Sequence, residues 1–254
     1  MLVASPDAGA VTEIDGIHPR MLRIFHGFGR PVAVAFDYEP PIGIVTPRYA
    51  YVLDQARGTL DVLDLARGQI VSRLAVGAQP DQIAVDATIV WIAHAASGML
   101  TRVDASAPAR PRLLRGVESG GIIAALVADP ESRSVYATSS GSGVVTRYLE
   151  AGAGVRRGYR TRVTREPLDG LALALPNFLI SADQHGDLFI FDKQNGRPVS
   201  RLPIPPGIKA LDVYGGWLVA MLPRSLILLG VPDGSMRTSV RFRESLGGFA
   251  WAVL

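Results

Sequence analysis

Residues 1–37 of this chain lie on residues 50–86 without a gap, at an offset of 49. Val3 falls on Val52, Gly9 on Gly58, Ile14 on Leu63, Asp15 on Asp64, Pro31 on Pro80 and Asp37 on Asp86. At an offset of 40, Trp91, Gly98, Leu100, Val103 and Asp104 fall on Tyr51, Gly58, Leu60, Leu63 and Asp64. Weaker copies begin at Tyr136, at Leu179 and near Trp217. A period of about 40–49 residues restricts the chain to stacked copies of one small unit, either propeller blades or helical pairs.

The pattern inside each unit decides between these. Residues 51–85 read as four short runs, Tyr51-Val52-Leu53, Leu60 to Asp64, Ile70 to Leu74 and Gln82 to Val85, separated by Gly, Asp, Arg and Pro. Period-two alternation and β-branched enrichment indicate strands, and no window carries a sustained helical stripe. Composition agrees: 48% hydrophobic and 19% charged residues exclude a disordered chain, while Gly 27 and Pro 18 supply many turns. The expectation is an all-β propeller of four-stranded antiparallel blades.

The repeat resembles the YVTN-type (YncE-like) propeller family, named for a Tyr-Val-Thr-Asn turn. The matching residues are Tyr51-Val52-Leu53-Asp54, Gly58-Thr59-Leu60-Asp61-Val62-Leu63-Asp64, Ile70 to Gly77 and Pro80 to Val85. The Asn of the signature is replaced by Asp54, His94 and Ser139. The resemblance implies a fold more than a function, because such scaffolds host many activities.

The chain enters on the second strand of a repeat, Leu2 to Ala4, and leaves on a first strand, Gly248 to Val253. Pairing of these two strands would complete one blade and give six blades in a single domain over residues 1–254. The competing count is seven blades with an N-terminal part missing. The start Met1 to Asp7 lacks the basic and apolar run of a secretory signal, and no apolar stretch reaches the length of a spanning helix. The chain has no cysteine, which suits either redox compartment. The compartment therefore stays open, and the family resemblance fits a periplasmic or extracellular protein if a leader precedes the chain.

Three sets of residues are candidates for chemistry. The turns between second and third strands hold Asp7, Asp54, Gln55, His94, Asp183, Gln184 and His185, which would line a common mouth with carboxylate, amide and imidazole groups. Such groups suit a polar ligand or a divalent metal, although Asp and His in tight turns also cap their own amides. No cofactor is called for by any motif. The run 155–165 holds Arg156, Arg157, Arg160, Arg162 and Arg165 with Tyr159 among them, a pattern that grips phosphates and stacks bases. The same arginines sit where an outermost strand is expected, and charge on an exposed edge guards against aggregation, so nucleic acid is the less favoured partner. Finally, Tyr38, Glu39, Pro40, Pro41, Ile42 and Ile44 lie in a segment about nine residues longer than its counterpart in the next repeat, a proline-stiffened loop suited to a partner contact. Glu150 to Gly158 reads as a second, Gly-rich loop extension.

Asp15, Asp64, Asp104 and Asp192 recur once per unit at the end of a third strand, and Asp37, Asp86 and Asp129 at the end of a first. Recurrence of this kind marks a structural device rather than a catalytic acid. No phosphate loop, nucleophile elbow or His-Glu-x-x-His pair is present. The first expectation is thus a non-enzymatic propeller that binds or scaffolds a protein or small molecule. A propeller enzyme of lactonase, hydrolase or lyase type, with a polar or metal-lined mouth, is the alternative, and polyanion binding through the arginine strand is the third. Oligomeric state is not readable from the sequence.

Overall fold

A computed structural model describes residues 1–15, 20–37, 47–151, 154–174, 177–214, 217–230, 236–241 and 245–250. Blade 1 holds β1 (Leu2–Ser5), β2 (Ala10–Asp15) and β3 (Arg20–Phe25). Blade 2 holds β4 (Pro31–Phe36), β5 (Tyr49–Asp54), β6 (Thr59–Asp64) and β7 (Gln69–Ala75). Blade 3 holds β8 (Pro80–Asp86), β9 (Ile89–His94), β10 (Met99–Asp104) and β11 (Arg112–Glu118). Blade 4 holds β12 (Ile123–Asp129), β13 (Ser134–Ser139), β14 (Val144–Ala151) and β15 (Gly154–Arg162). Blade 5 holds β16 (Leu168–Ala174), β17 (Phe178–Asp183), β18 (Asp187–Asp192) and β19 (Pro198–Pro203). Blade 6 holds β20 (Ala210–Tyr214), β21 (Trp217–Leu222), β22 (Ser225–Gly230) and β23 (Met236–Arg241). The last strand, β24 (Gly248–Ala250), pairs antiparallel with β1 and completes blade 1 in the order β24-β1-β2-β3.

The protein is therefore a six-bladed β-propeller of four-stranded antiparallel sheets. No helix occurs among the described residues, and none is long and apolar enough to cross a membrane. Two compact units share the blades. The first comprises residues 1–120 and 244–254, which are blades 1 to 3, and the second comprises residues 121–243, which are blades 4 to 6.

In the first unit the core forms between the faces of successive blades. Ala50 and Val52 of β5 pack with Leu2, Ala4 and Val11 of blade 1. Tyr51 and Leu53 of the same strand pack with Val90, Ile92 and Val103 of blade 3. A second strand is thus buried on both faces, which is why it reads as an apolar run where simple alternation was expected. Burying one such leucine contributes about 1.5–3 kcal/mol. The second unit is built alike: Leu179 of β17 packs with Tyr136 and Val145 of blade 4, whereas Ile180 and Ala182 pack with Leu211 and Leu218 of blade 6.

The recurring glycine between second and third strands has a defined task. Val76 N donates to Gly58 O (2.9 Å), Ser119 N to Gly98 O (2.7 Å), Val163 N to Gly143 O (2.7 Å) and Ile204 N to Gly186 O (2.8 Å). Each bond ties the exit of the fourth strand to that turn. Gly58 has φ +65, and a Cβ there would sit 2.7 Å from Gly77 O, so no other residue fits without movement. Every pairing of third and fourth strands also contains a register shift, which bends the fourth strand and strengthens its twist. The reading of Glu150 to Gly158 as a loop extension is corrected at its described residues: Glu150 and Ala151 end β14 and Gly154 to Gly158 begin β15, the longest antiparallel pair among the described strands. Paired strands satisfy their amides in the ladder, which a loop of the same length would not.

Candidate functional site

The turns between second and third strands divide the predicted mouth residues into two kinds. In blade 2, Asp54 ends β5 and is fully buried. Its carboxylate accepts Gly29 N at 2.6 Å, Arg30 N at 3.0 Å and Arg57 N at 3.3 Å, and pairs with the Arg57 guanidinium. Burial by itself would raise this acid, but the Gly29 and Arg30 amides and the Arg57 guanidinium outweigh it and hold the carboxyl below its ordinary value. Asp54 therefore clamps the connection from blade 1 to blade 2. Gln55 extends the clamp, accepting Arg30 Nη1 at 3.0 Å while its own amide nitrogen reaches Pro80 O at 3.5 Å.

His94 occupies the equivalent strand end in blade 3 and is buried. Its Nδ1 lies 2.9 Å from Ala78 O and its Nε2 lies 2.8 Å from Thr101 Oγ1. A carbonyl only accepts, so Nδ1 carries the proton, and in the neutral ring Nε2 accepts the Thr101 hydroxyl. Both ring nitrogens are engaged within the blade and its entry turn. Asp183, buried at the end of β17, accepts His185 N and Asp187 N, each at 3.0 Å. Asp7, Gln184 and His185 face solvent, and His185 Nδ1 stands 4.0 Å from Glu166 Oε2. Among the described residues no group of three or more His, Cys, Asp or Glu is arranged to hold a metal ion.

Around the blade 2 turn, two cations are presented to solvent at fixed positions. Arg30 and Arg57 are exposed at the tips, the first tied to Gln55 and the second to Gly27 O at 3.0 Å as well as to Asp54. Long side chains held in this way lose less freedom when a partner docks.

In blade 4, Arg156, Arg157, Arg160, Arg162 and Arg165 are all exposed. Tyr159 is not: it is half-buried against the core of blades 4 and 5, with its hydroxyl donating to Lys193 O at 3.1 Å and its ring 6.4 Å from that of Tyr136. Burial and the neighbouring Tyr136 push this phenol above its ordinary range. A ring packed inward is not a platform for bases. The loop residues Tyr38, Glu39, Pro40, Pro41, Ile42 and Ile44 lie outside the described residues.

Two acids outside the predicted sites, Asp129 and Asp212, stand in unusual surroundings. Lys193 Nζ meets the fully buried Asp129 Oδ2 at 2.9 Å, joining blade 5 to blade 4, and Ser132 Oγ donates to the same carboxylate at 2.6 Å. Burial favours protonation of Asp129, yet the Ser132 hydroxyl and the Lys193 ammonium hold it below its ordinary value. A lysine in a chain with only two, against 24 arginines, is the one cue. Asp212 of β20 takes the place that alanine holds at Ala35 and Ala172 in other first strands. Burial pushes its carboxyl up to about 6, opposed only by the Val213 amide.

These features define a repeat scaffold whose turn residues serve the backbone first. No protein-family model and no curated protein matches the chain in sequence. Among solved structures, a chain of the crystal structure of a nidogen/laminin complex is similar in fold, with a TM-score of 0.75 over 98% of this chain and 96% of that one at 17% identity. That likeness establishes the propeller fold.

Proposed function

We propose that this chain is a non-enzymatic propeller domain, residues 1–254, that binds or scaffolds a protein partner through the turn face of blades 2 and 3. The observation that carries this reading is the division of labour at the turns. Asp54 and His94, which a catalytic mouth would need, are bonded to Gly29, Arg30, Ala78 and Thr101, while Arg30 and Arg57 are held outward at fixed positions. Exposed, preorganised cationic tips suit recognition more than proton transfer. The fold's likeness to a chain from a protein–protein complex is in keeping with that role. The finer assignment to the YVTN type rests on the sequence of one repeat, Tyr51 to Asp54, Gly58 to Asp64, Ile70 to Gly77 and Pro80 to Val85.

A photo-crosslinking residue at exposed Ala56, compared with one at exposed Ala87 in the hairpin between first and second strands, tests the reading in extracts of the native cell. A discrete protein adduct at position 56 that fades in Arg30→Ala/Arg57→Ala, and is missing at position 87, is expected. Substrate turnover that depends on Asp54 or His185 would overturn it.

A further inference from the structure

We propose that β15, the edge strand of blade 4, docks an acidic, extended segment of a partner protein. The inference starts from a contrast among edge strands. In blade 1, Arg23 pairs with Glu13 at 2.6 Å and Arg20 with Asp15 at 3.6 Å; in blade 2, Arg73 pairs with Asp61 at 3.1 Å; in blade 5, Arg201 pairs with Asp187. Each of those edge arginines is neutralised by a carboxylate on the third strand of its own blade.

Blade 4 departs from blades 1, 2 and 5. Its third strand places Thr146 opposite Arg160, Val144 opposite Arg162 and Leu149 opposite Arg156. Thr146 stands where blade 2 has Asp61. Among the described residues no carboxylate pairs with Arg156, Arg160, Arg162 or Arg165, and the run 154–165 contains no acid. Guarding an edge against aggregation needs charge, but the paired arginines of blades 1, 2 and 5 show that it does not need this excess.

Three properties select the occupant. The strand bonds to β14 on one side only, so its other row of backbone groups is open to an added strand. Arg160 and Arg162 stand two positions apart, roughly 6.6 Å along a strand, which matches carboxylates at alternate positions of an extended peptide. Tyr159, the one aromatic that could stack a base, is turned inward and bonded to Lys193 O. Acidic peptide is thereby favoured over single-stranded nucleic acid, whose affinity depends on stacking as well as charge. The excess charge also repels a second copy of β15, so the edge discriminates by sign.

The proposal deepens the protein-binding reading at a second surface, and its test does not involve Ala56, so either can fail alone. The probe is a fluorescent peptide of alternating glutamate and threonine, followed by anisotropy at low salt and at physiological ionic strength. Arg160→Ser/Arg162→Ser should weaken it by about tenfold or more, and Thr146→Asp, which supplies the missing carboxylate while keeping both arginines, should weaken it in the same direction. Arg112→Ser/Arg115→Ser on β11 removes the same charge elsewhere and should leave affinity within about twofold. A peptide methylated on alternate backbone nitrogens should lose binding with its charge intact. Absence of peptide binding, equal loss in the β11 variant, indifference to methylation, or tighter binding of oligothymidylate than of the peptide would each overturn the proposal.

Discussion

The two units solve the same electrostatic problem differently. In blades 1 and 2, Glu13 and Asp61 on third strands pair with the edge arginines Arg23 and Arg73, and the buried Asp54 is ringed by amides and a guanidinium. In blades 4 to 6, the buried Asp129 is held by the Ser132 hydroxyl and one ammonium from the next blade, no cation stands beside Asp212 among the described residues, and the richest arginine strand has no acids. Blades 1 and 2 match these acids with cations, whereas the second unit holds an acid, Asp212, beside which no cation stands among the described residues, and an arginine strand, β15, that contains no acid.

That difference can be broken most severely at Lys193. Lys193→Met leaves Asp129 buried without its cation and should lower unfolding free energy by about 3–5 kcal/mol, measured by urea denaturation. Lys193→Met/Asp129→Asn should recover most of the loss, and failure to recover would remove the ion pair as the cause. In the first unit, Asp54→Ala strips the partner from the Gly29, Arg30 and Arg57 amides at once and should cost about 2–3 kcal/mol, with Asp54→Asn costing less.

Asp212 sharpens the contrast through pH. An acid whose folded pKa, about 6, exceeds its unfolded value of 3.8 binds its proton more tightly in the native state. Stability then declines as pH rises from about 4 to 6, by about 1–3 kcal/mol for a partly exposed group. Asp212→Asn should remove that decline and exceed the parent chain at pH 7 but not at pH 4; parallel pH profiles would refute it. The smallest effect is expected from importing the blade 4 pattern into blade 2. Asp61→Thr should change stability by within about 1 kcal/mol, because burial already raises the Asp61 carboxyl and offsets the lost Arg73 pair. The same change should let Arg73 attract acidic peptide, which anisotropy would read.

Much of the architecture was legible because a repeat multiplies weak signals. Gly58, Gly98, Gly143 and Gly186 recur where one backbone carbonyl closes each of blades 2 to 5, and the strand-end residues Asp54, His94 and Ser139 fall at one position. The pairing of the terminal strands followed from their complementary order in the unit. The site was less legible, since one position can hold different tasks: Asp54 accepts amides whereas His94 both donates and accepts, and neither task shows in residue type. Tyr159 looked like a stacking residue among arginines, and only the fold shows which way it turns. Contacts between blades, such as Lys193 with Asp129, have no local pattern at all. The hairpin of β14 and β15 was misread because glycine marks a loop in most contexts, while here Gly154 and Gly158 lie within a strand.

The union of β24 with β1 sets an order of events during synthesis. Val3 pairs with Phe249 and Leu2 with Ala250 across that ladder, so β1, once synthesised, must wait for the other described strands before its outer row is paired. Until then β1 carries an open row of amides and carbonyls beside two finished neighbours, a vacancy that a stray strand can fill. The closing step joins the two described strands that lie farthest apart in sequence, which makes it late, slow and the point at which a nascent molecule is most exposed to mispairing.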